Sequence, residues 1–422
     1  MESIDSIEKQ LVQQPNKITG ANWILFSVFF LASSVGGTVS TLMSVYLPVV
    51  AKDLLGDRNA GQLTDISALI NAVFILGWAF GGFSWGVLSD NLGRKKALLM
   101  AIVCYALATI LTGFATNWET LVVYRFVSGF GVGGVLVVSF TYMSEVWPIK
   151  TKAVFTGILS IAVPVGIFSA GLINFFLPNW REGFYIGIIP LMVSIIGIWA
   201  IPESAVWLMN ASEKNSSKLN TLFKNHNRYN VLRGSLIFGS MLIGLWAIFS
   251  WLPTWVQVLI NRDDASQERG LSMMLMGIGG LSGGFFSGWF TNWLGMQKAM
   301  FICFAGCTFL SFLLFTTTVY TPFIFVEIGL MAIFFGLSQG VLSNYIPKLF
   351  DTQIRASATG FCFNIGRIFT ALAVLFVGLL VNVLGGFGNA IFLFSLVFLV
   401  GFVVLIIFPE RDLIVPSRSS KS

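Results

Sequence analysis

Charged residues are scarce in this sequence of 422 residues, because Asp, Glu, Lys and Arg together make up only 10%. A soluble globular domain carries roughly 25% charged residues, so a surface that faces water on all sides is excluded. Histidine occurs once, at His226, and the four cysteines lie inside apolar runs. These residues do not make up a metal site, and no nucleophile–base pair stands out. We therefore expect no enzyme, no cofactor and no metal.

Long apolar runs are the main feature of the chain, since 56% of its residues are hydrophobic. A helix needs about 20 apolar residues to cross the hydrocarbon core of a bilayer. The runs predict an all-α membrane protein with twelve transmembrane helices. They cover residues 23–50, 65–88, 97–116, 119–144, 153–178, 184–202, 234–260, 271–290, 299–318, 322–346, 356–384 and 387–409.

The polar interval at residues 203–233 divides these runs into two groups of six. It separates an N-terminal bundle, 23–202, from a C-terminal bundle, 234–409, with polar tails at 1–22 and 410–422. If the tails and the interval are cytoplasmic, eighteen of the 25 Lys and Arg residues lie on that side and five, including Arg269, lie in outer loops. Because Lys and Arg favour cytoplasmic loops, we expect an inner (plasma) membrane protein with both termini inside.

The net charge of +6 then belongs to the cytoplasmic rim of a membrane protein. A nucleic-acid partner is therefore not expected. The expected partners are the lipid bilayer, a small-molecule substrate and protons, and the protein is expected to be a monomer.

The two groups of helices repeat each other. Residues 86–96 (GVLSDNLGRKK) correspond to residues 288–298 (GWFTNWLGMQK), 202 positions later, and residues 152–157 correspond to 355–360, 203 positions later. This nearly constant offset predicts two pseudo-symmetric six-helix bundles, an arrangement that places the binding site of a transporter between its repeats. The second copy has Asn292 and Met296 in place of Asp90 and Arg94, so it has lost both charges.

Several of these segments resemble the major facilitator superfamily over nearly the whole chain. Residues 86–96 resemble its signature between the second and third helices, and residues 125–134 (RFVSGFGVGG) resemble its fourth-helix signature. Residues 202–204 are similar to the sixth-helix end of sugar and metabolite porters. Residues 251–255 and 359–367 are similar to segments of the aromatic-acid, sialic-acid and metabolite–proton symporters.

The resemblance implies a secondary transporter that works by alternating access, in which the halves expose a central site to one side at a time. It also implies a cytoplasmic gate formed by Gly86, Asp90, Arg94 and Glu145. Proton-coupled members of the similar branches carry an acidic residue in the first helix, whereas residues 23–50 contain none. The usual proton site is therefore in doubt.

Three ionisable residues lie inside the predicted helices, away from their ends: Arg125, Glu327 and Arg367. A charge at the bilayer centre costs roughly 2.5–3.5 kcal/mol and therefore tends to mark function. The planar fork of Arg367 matches a carboxylate, so we expect it to bind an anionic substrate group. The alternative is that it pairs with Glu327 or with helix-end carbonyls and only ties helices together. Glu327 is either the coupling acid or a hydrated group at the outer interface. Arg125, at the equivalent position of the first half, either responds to that acid or pins helices together.

Polar and aromatic candidates for contact with the substrate are Asn364, Trp251, Tyr142 and Gln339, and the alternative for each of them is a contact that only packs helices together. We expect proton-coupled transport of a small organic anion, either a carboxylate or an acidic sugar. A symporter of neutral sugars or polyols is the alternative, favoured by residues 202–204. A non-transporting solute sensor is less favoured, because the sequence has no long signalling extension after Pro416.

Overall fold

The computed structural model describes residues 18–56, 60–210, 226–262, 264–350 and 355–407. In these ranges twelve helices are long and apolar enough to cross a membrane, and no β-strand occurs. The predicted all-α class and the number of membrane helices are thereby confirmed. Most of the two predicted tails, and residues 211–225 of the polar interval, lie outside the described residues.

The membrane helices are numbered α1 to α12 in chain order. They are α1 Gly20–Leu55, α2 Gln62–Leu92, α3 Arg94–Gly113, α4 Trp118–Val146, α5 Val154–Phe176, α6 Trp180–Ala200, α7 Asn227–Ile260, α8 Ser266–Leu294, α9 Met296–Phe315, α10 Ile324–Lys348, α11 Ala358–Leu380 and α12 Phe387–Ile407. A short helix, Ala205–Asn210, follows α6.

Most of the helices begin earlier than their apolar runs, and two of them show why. The helix that contains α7 begins at His226 instead of residue 234, and α8 begins at Ser266 instead of residue 271. Backbone hydrogen bonds continue a helix through polar residues, which a hydropathy pattern does not register. The prediction that Arg269 lies in an outer loop is therefore wrong, because this residue is in α8 and is 1% exposed.

Helix α5 is interrupted at Ile161, between the helical segments Ile149–Ser160 and Ala162–Phe176. Pro164 explains the break, because a proline has no N–H to donate to the carbonyl four residues earlier. That carbonyl belongs to Ser160, the last residue of the first segment.

Equivalent helices pack in the same way in the two halves. In the first half α4 packs against α2 and α3, and α1 packs against α5; in the second half α10 packs against α8 and α9, and α7 packs against α11. This shared pairing confirms the two pseudo-symmetric bundles. The halves meet where α5 packs on α8, α2 on α11 and α1 on α7.

Helices α5 and α8 touch along most of their length but separate at one end. We call the end of the molecule that holds residues 86–96 the motif end and the other the distal end. Near the distal end, a Cβ atom on Gly270 would lie 2.7 Å from the Gly171 carbonyl oxygen, and one on Gly284 would still meet α5 at 3.7 Å. One turn closer to the motif end lie Gly157 and Gly288, and no described atom lies within 4 Å of a Cβ on either.

The contact between α2 and α11 ends at the same level. Gly378 packs tightly against α2 near the distal end, and a Cβ on Gly82 would lie 2.6 Å from the Asn364 Oδ1. One turn closer to the motif end, no described atom lies within 4 Å of a Cβ on Gly360. A Cβ on Gly86 would meet only Val137, a residue of its own half, at 3.8 Å. The halves are therefore closed at the distal end and parted at the motif end.

Candidate substrate pathway and gate

Arg367 lies near the middle of α11, about nine residues or about 13 Å from its motif end. Its Nη1 donates to the Phe363 carbonyl and to the Asn364 Oδ1, both at 3.2 Å. The guanidinium carbon lies 5.3 Å from the ring centroid of Trp78 in α2. The side chain is partly exposed inside the protein, so it faces a space between helices.

No ion pair neutralises Arg367 among the residues that the structure describes. The alternative of a structural pair with Glu327 has no support in this geometry, since the recorded partners of Arg367 lie on its own helix and on α2. Aromatic rings surround the site, because the Trp246 ring lies 5.3 Å from Trp78 and 5.7 Å from Phe249. The arrangement is a permanent positive charge beside flat apolar faces.

Two amide side chains lie at a depth similar to that of Arg367. Asn364 accepts a bond from Arg367 and donates through Nδ2 to the Gly360 carbonyl at 3.0 Å. Gln339 lies nine residues from the motif end of α10, and its Nε2 has no hydrogen-bond partner in the described part of the chain. Contact of either residue with a substrate stays a prediction.

The structure places Trp251 and Tyr142 away from this position. The Trp251 Nε1 donates to the Val374 carbonyl at 3.1 Å, and the Tyr142 hydroxyl donates to the Pro202 carbonyl. Both side chains are fully buried, so their polar atoms are used inside the protein in this conformation. Contact of either residue with substrate stays a prediction.

Arg125 is fully buried in α4 and ties this helix to α1 and α2. Its Nη1 donates to the Val39 carbonyl at 3.1 Å, and its guanidinium carbon lies 4.0 Å from the Phe74 ring centroid. Its Nε has no hydrogen-bond partner in the described residues. Residues 23–50 of the first helix contain no acid, and a main-chain carbonyl and an aromatic ring hold the arginine instead.

Glu327 lies in the first turn of α10, at the distal end. It is partly exposed, and its Oε2 has no hydrogen-bond partner within the described ranges. The predicted helix began at residue 322, whereas the observed helix begins at Ile324. The carboxyl of Glu327 therefore lies closer to the membrane surface than predicted. Its role as a coupling acid stays a prediction.

A charged network links three helices at the motif end. The Arg94 Nη1 donates to the Asp90 Oδ1 at 2.5 Å and to the Ser89 Oγ at 2.9 Å, while its Nη2 lies 2.9 Å from the Glu145 Oε1. The second oxygen of Glu145 accepts from the Ser204 hydroxyl at 2.6 Å. The structure thus brings three of the four predicted gate residues into contact, and Gly86 lies one turn away from them.

A further carboxylate that the sequence prediction missed completes this network. Glu203 accepts from the Lys95 backbone N–H at 3.0 Å and lies against Gly93, where a side chain would overlap its carboxylate. The φ angle of Gly93 is 102°, a left-handed conformation that favours glycine. The Trp207 Nε1 donates to the Asp90 carbonyl at 2.9 Å, so the short helix after α6 is attached to the gate as well.

The equivalent network is missing from the second half in the described part of the chain. Met296 stands at the position of Arg94, and Lys348 stands at the position of Glu145. These two residues still meet, with the Lys348 Nζ at 3.8 Å from the Met296 Sδ. Repeat symmetry therefore preserves the contact, although the ion pair has been lost.

Together these features define a multi-pass membrane carrier with two six-helix halves, an internal charged site and an opening at one end. The sequence model of the Major Facilitator Superfamily matches residues 24–369, and the chain belongs to this superfamily. It is therefore a multi-pass transporter of the inner membrane.

Comparisons with individual proteins agree with this assignment. The sequence is 29% identical over 332 residues to the sialic acid transporter of Escherichia coli (strain K12), covering 77% of this chain and 79% of the relative. It is 26% identical to the niacin transporter of Acinetobacter baylyi, covering 82% and 85%. The structure of a D-xylose-proton symporter matches with a TM-score of 0.74 and 16% identity, covering 93% of this chain and 99% of the other. At this identity the structural match shows the fold alone.

Proposed function

We propose that this protein transports a small organic acid, a carboxylate or an acidic sugar, by alternating access and with proton coupling. Arg367 is the observation that carries the proposal, because it holds a permanent charge inside the protein without an ion pair in the described residues. A guanidinium of this kind is stabilised by a carboxylate that arrives with the substrate. The sialic acid and niacin that two relatives carry are both acids of this class.

The motif end is proposed to face the cytoplasm, as are both termini. Lys96, Lys298 and Lys348 are exposed at this end, and positive charge of this kind favours the cytoplasmic side. In this orientation the described conformation is open to the cytoplasm and closed to the outside. A monomer provides the whole pathway, and the proposal includes no chemical change to the substrate.

Glu327 is proposed as the group that carries the coupling proton. It has an unpartnered carboxyl oxygen in the described residues. Residues 23–50 of α1 contain no acid, and Asp53, near the distal end of this helix, is paired with Arg181. We expect Glu327→Gln to exchange substrate across the membrane but to lose accumulation driven by a proton gradient. Accumulation that survives this substitution would move the coupling group elsewhere.

Uptake of labelled nicotinate, N-acetylneuraminate and xylose into proteoliposomes tests the substrate class. We expect an acid to be taken up and xylose to be excluded. Arg367→Gln removes a charge-assisted bond of about 2–3 kcal/mol, so acid uptake should fall roughly thirtyfold or more. Arg228→Gln is the matched control, since Arg228 lies near the start of the α7 helix and donates to Tyr229 in an exposed pair.

A neutral sugar remains the second candidate, because the Glu203 and Ser204 contacts belong to the segment that resembles sugar porters. Uptake of xylose with exclusion of both acids would select this candidate and refute the acid. Full acid uptake by the Arg367→Gln variant would refute the assigned site.

A further inference from the structure

The distal end closes over polar side chains from four helices and both halves. This distal cluster consists of Tyr46 in α1, Asn174 in α5, Gln257 in α7 and Arg269 in α8. Tyr46 and Asn174 are 0% exposed and Arg269 is 1% exposed, whereas Gln257 is partly exposed. The cluster lies beside the close contact of Gly171 and Gly270, where the two backbones leave no room for side chains.

Several polar atoms of the distal cluster have no hydrogen bond in the described residues. They are the Nε of Arg269 and both amide atoms of Asn174, whose side chain lies against the Tyr46 hydroxyl without meeting hydrogen-bond geometry. The Arg269 Nη1 donates to Gln257, and the Tyr46 hydroxyl donates to the Leu177 carbonyl at 2.5 Å. A buried polar atom without a partner is destabilising, so the closed arrangement leaves binding capacity unused.

The charge of Arg269 also has no ion-pair partner in the part of the chain that the structure describes. Two acids lie nearby, but other groups hold them. Asp264 accepts from the Ser266 backbone N–H at 2.9 Å, and this bond lowers the pKa of the Asp264 carboxyl. Glu268 pairs with Arg262 at 3.6 Å. Arg269 is therefore a buried cation that is one turn from the outer end of α8 and not neutralised.

We propose that Arg269 and Asn174 form a second anion site, which binds the carboxylate of the substrate at the distal mouth when that end opens. Arg269 offers the unused N–H of its Nε, and Asn174 offers an unused N–H₂. Donors of this kind match the oxygens of a carboxylate. This inference rests on the proposed function, since it places the site on the path of an organic acid to Arg367.

Cysteine labelling tests the site without a known substrate. Asn174→Cys is introduced into a chain whose four native cysteines are replaced by alanine, and the transporter is labelled from the distal side. The probes are an anionic sulfonatoethyl and a cationic trimethylammonioethyl methanethiosulfonate. The measured quantity is the labelling rate of the anionic reagent divided by that of the cationic reagent. We expect this ratio to be about tenfold higher at the introduced cysteine than for a free small thiol, because a nearby cation raises the local anion concentration.

Further variants assign that preference to Arg269. Arg269→Gln should abolish it and Arg269→Lys should retain most of it, while Lys52→Gln, which removes an exposed positive charge from the same end, should leave it unchanged. Gln257→Cys replaces Asn174→Cys if the latter does not fold. Absence of labelling, or an unchanged preference in Arg269→Gln, would overturn the site.

The two proposals fail in different experiments. If Arg367→Gln keeps full acid uptake, the assigned central site is wrong, although the reagent preference at the distal mouth still stands. If the reagent preference is absent while uptake of nicotinate depends on Arg367, only the distal site is wrong.

Discussion

The guanidinium of Arg367 in α11 lies over the ring of Trp78 in α2, with 5.3 Å between the guanidinium carbon and the ring centroid. This contact joins the C-terminal half to the N-terminal half at the centre of the molecule. Trp78 is 5% exposed, so the interaction is shielded from water. A cation beside an aromatic face needs no acid, and Arg367 is thereby held in place while its charge remains available to a ligand.

Trp78→Ala should weaken the binding of substrate without removing the charge of Arg367. A desolvated cation–π contact contributes about 1–2 kcal/mol, so the KM for an acid substrate should rise roughly five- to thirtyfold. Trp78→Phe keeps an aromatic face, so its KM should lie within a few-fold of that of the native protein. The measurement is the concentration dependence of nicotinate uptake into proteoliposomes.

Trp293→Ala provides the control for loss of a tryptophan, because Trp293 is 81% exposed and belongs to the outer surface of α8. Its KM should match that of the native protein. Equal KM values for Trp78→Ala and Trp293→Ala would show that Trp78 does not support Arg367.

Removal of Arg94 should destabilise the protein from the motif end. Arg94→Gln removes the guanidinium that lies 2.9 Å from the carboxylate of Glu145, whose side chain is 13% exposed, and breaking such a pair costs about 3–5 kcal/mol. Asp90 contributes little, since its side chain is 68% exposed. We expect the thermal midpoint of the detergent-solubilised transporter to fall by several degrees. Lys96→Gln, an exposed neighbour, should leave it unchanged, and equal midpoints for the two variants would contradict the network.

The gate was predictable from the sequence because its residues lie in short, repeated segments at a helix junction. Asp90 and Arg94 are four residues apart in the sequence, and the resemblance placed Glu145 beside them. Glu203 was not predicted as a gate residue, because its contact with the Lys95 backbone joins residues 108 positions apart. A motif lists neighbours along the chain, whereas such a contact depends on how α3 and α6 pack.

The central and distal sites were harder to predict, for a reason specific to membrane proteins. Lipid is as apolar as a packed helix face, so hydrophobic periodicity does not separate buried residues from exposed ones. Trp78 at 5% exposure and Trp293 at 81% look alike in the sequence. Arg269 precedes an apolar run and reads as a loop residue, although its helix begins three residues earlier, at Ser266.

A new ion pair can be introduced at the weaker gate of the second half. Lys348 meets Met296 at 3.8 Å, at the positions that Glu145 and Arg94 occupy in the first half. Met296→Glu should form an ion pair with Lys348, worth up to about 1 kcal/mol because Lys348 is exposed. We expect a slightly higher thermal midpoint for Met296→Glu than for Met296→Gln, and a lower one for Met296→Arg. The difference should shrink in high salt, and a difference that does not depend on salt would contradict the ion pair.

Large side chains on α5 should distinguish its closed end from its parted end. A Cβ on Gly171 would overlap the backbone of α8, whereas no described atom lies within 4 Å of a Cβ on Gly157. Gly171→Leu should therefore prevent closure of the distal end and abolish uptake, because alternating access requires both ends to close in turn. Gly157→Leu leaves the described conformation unchanged but obstructs the motif end when it closes, so it should also abolish uptake.

Labelling from the distal side separates these two defects. Asn174→Cys in the Gly171→Leu background should be labelled faster than in the native background, since the distal end is held open. In the Gly157→Leu background it should be labelled more slowly, because the halves stay parted at the motif end and closed over the distal cluster. Equal labelling in both backgrounds would show that α5 and α8 do not exchange contact between the two ends.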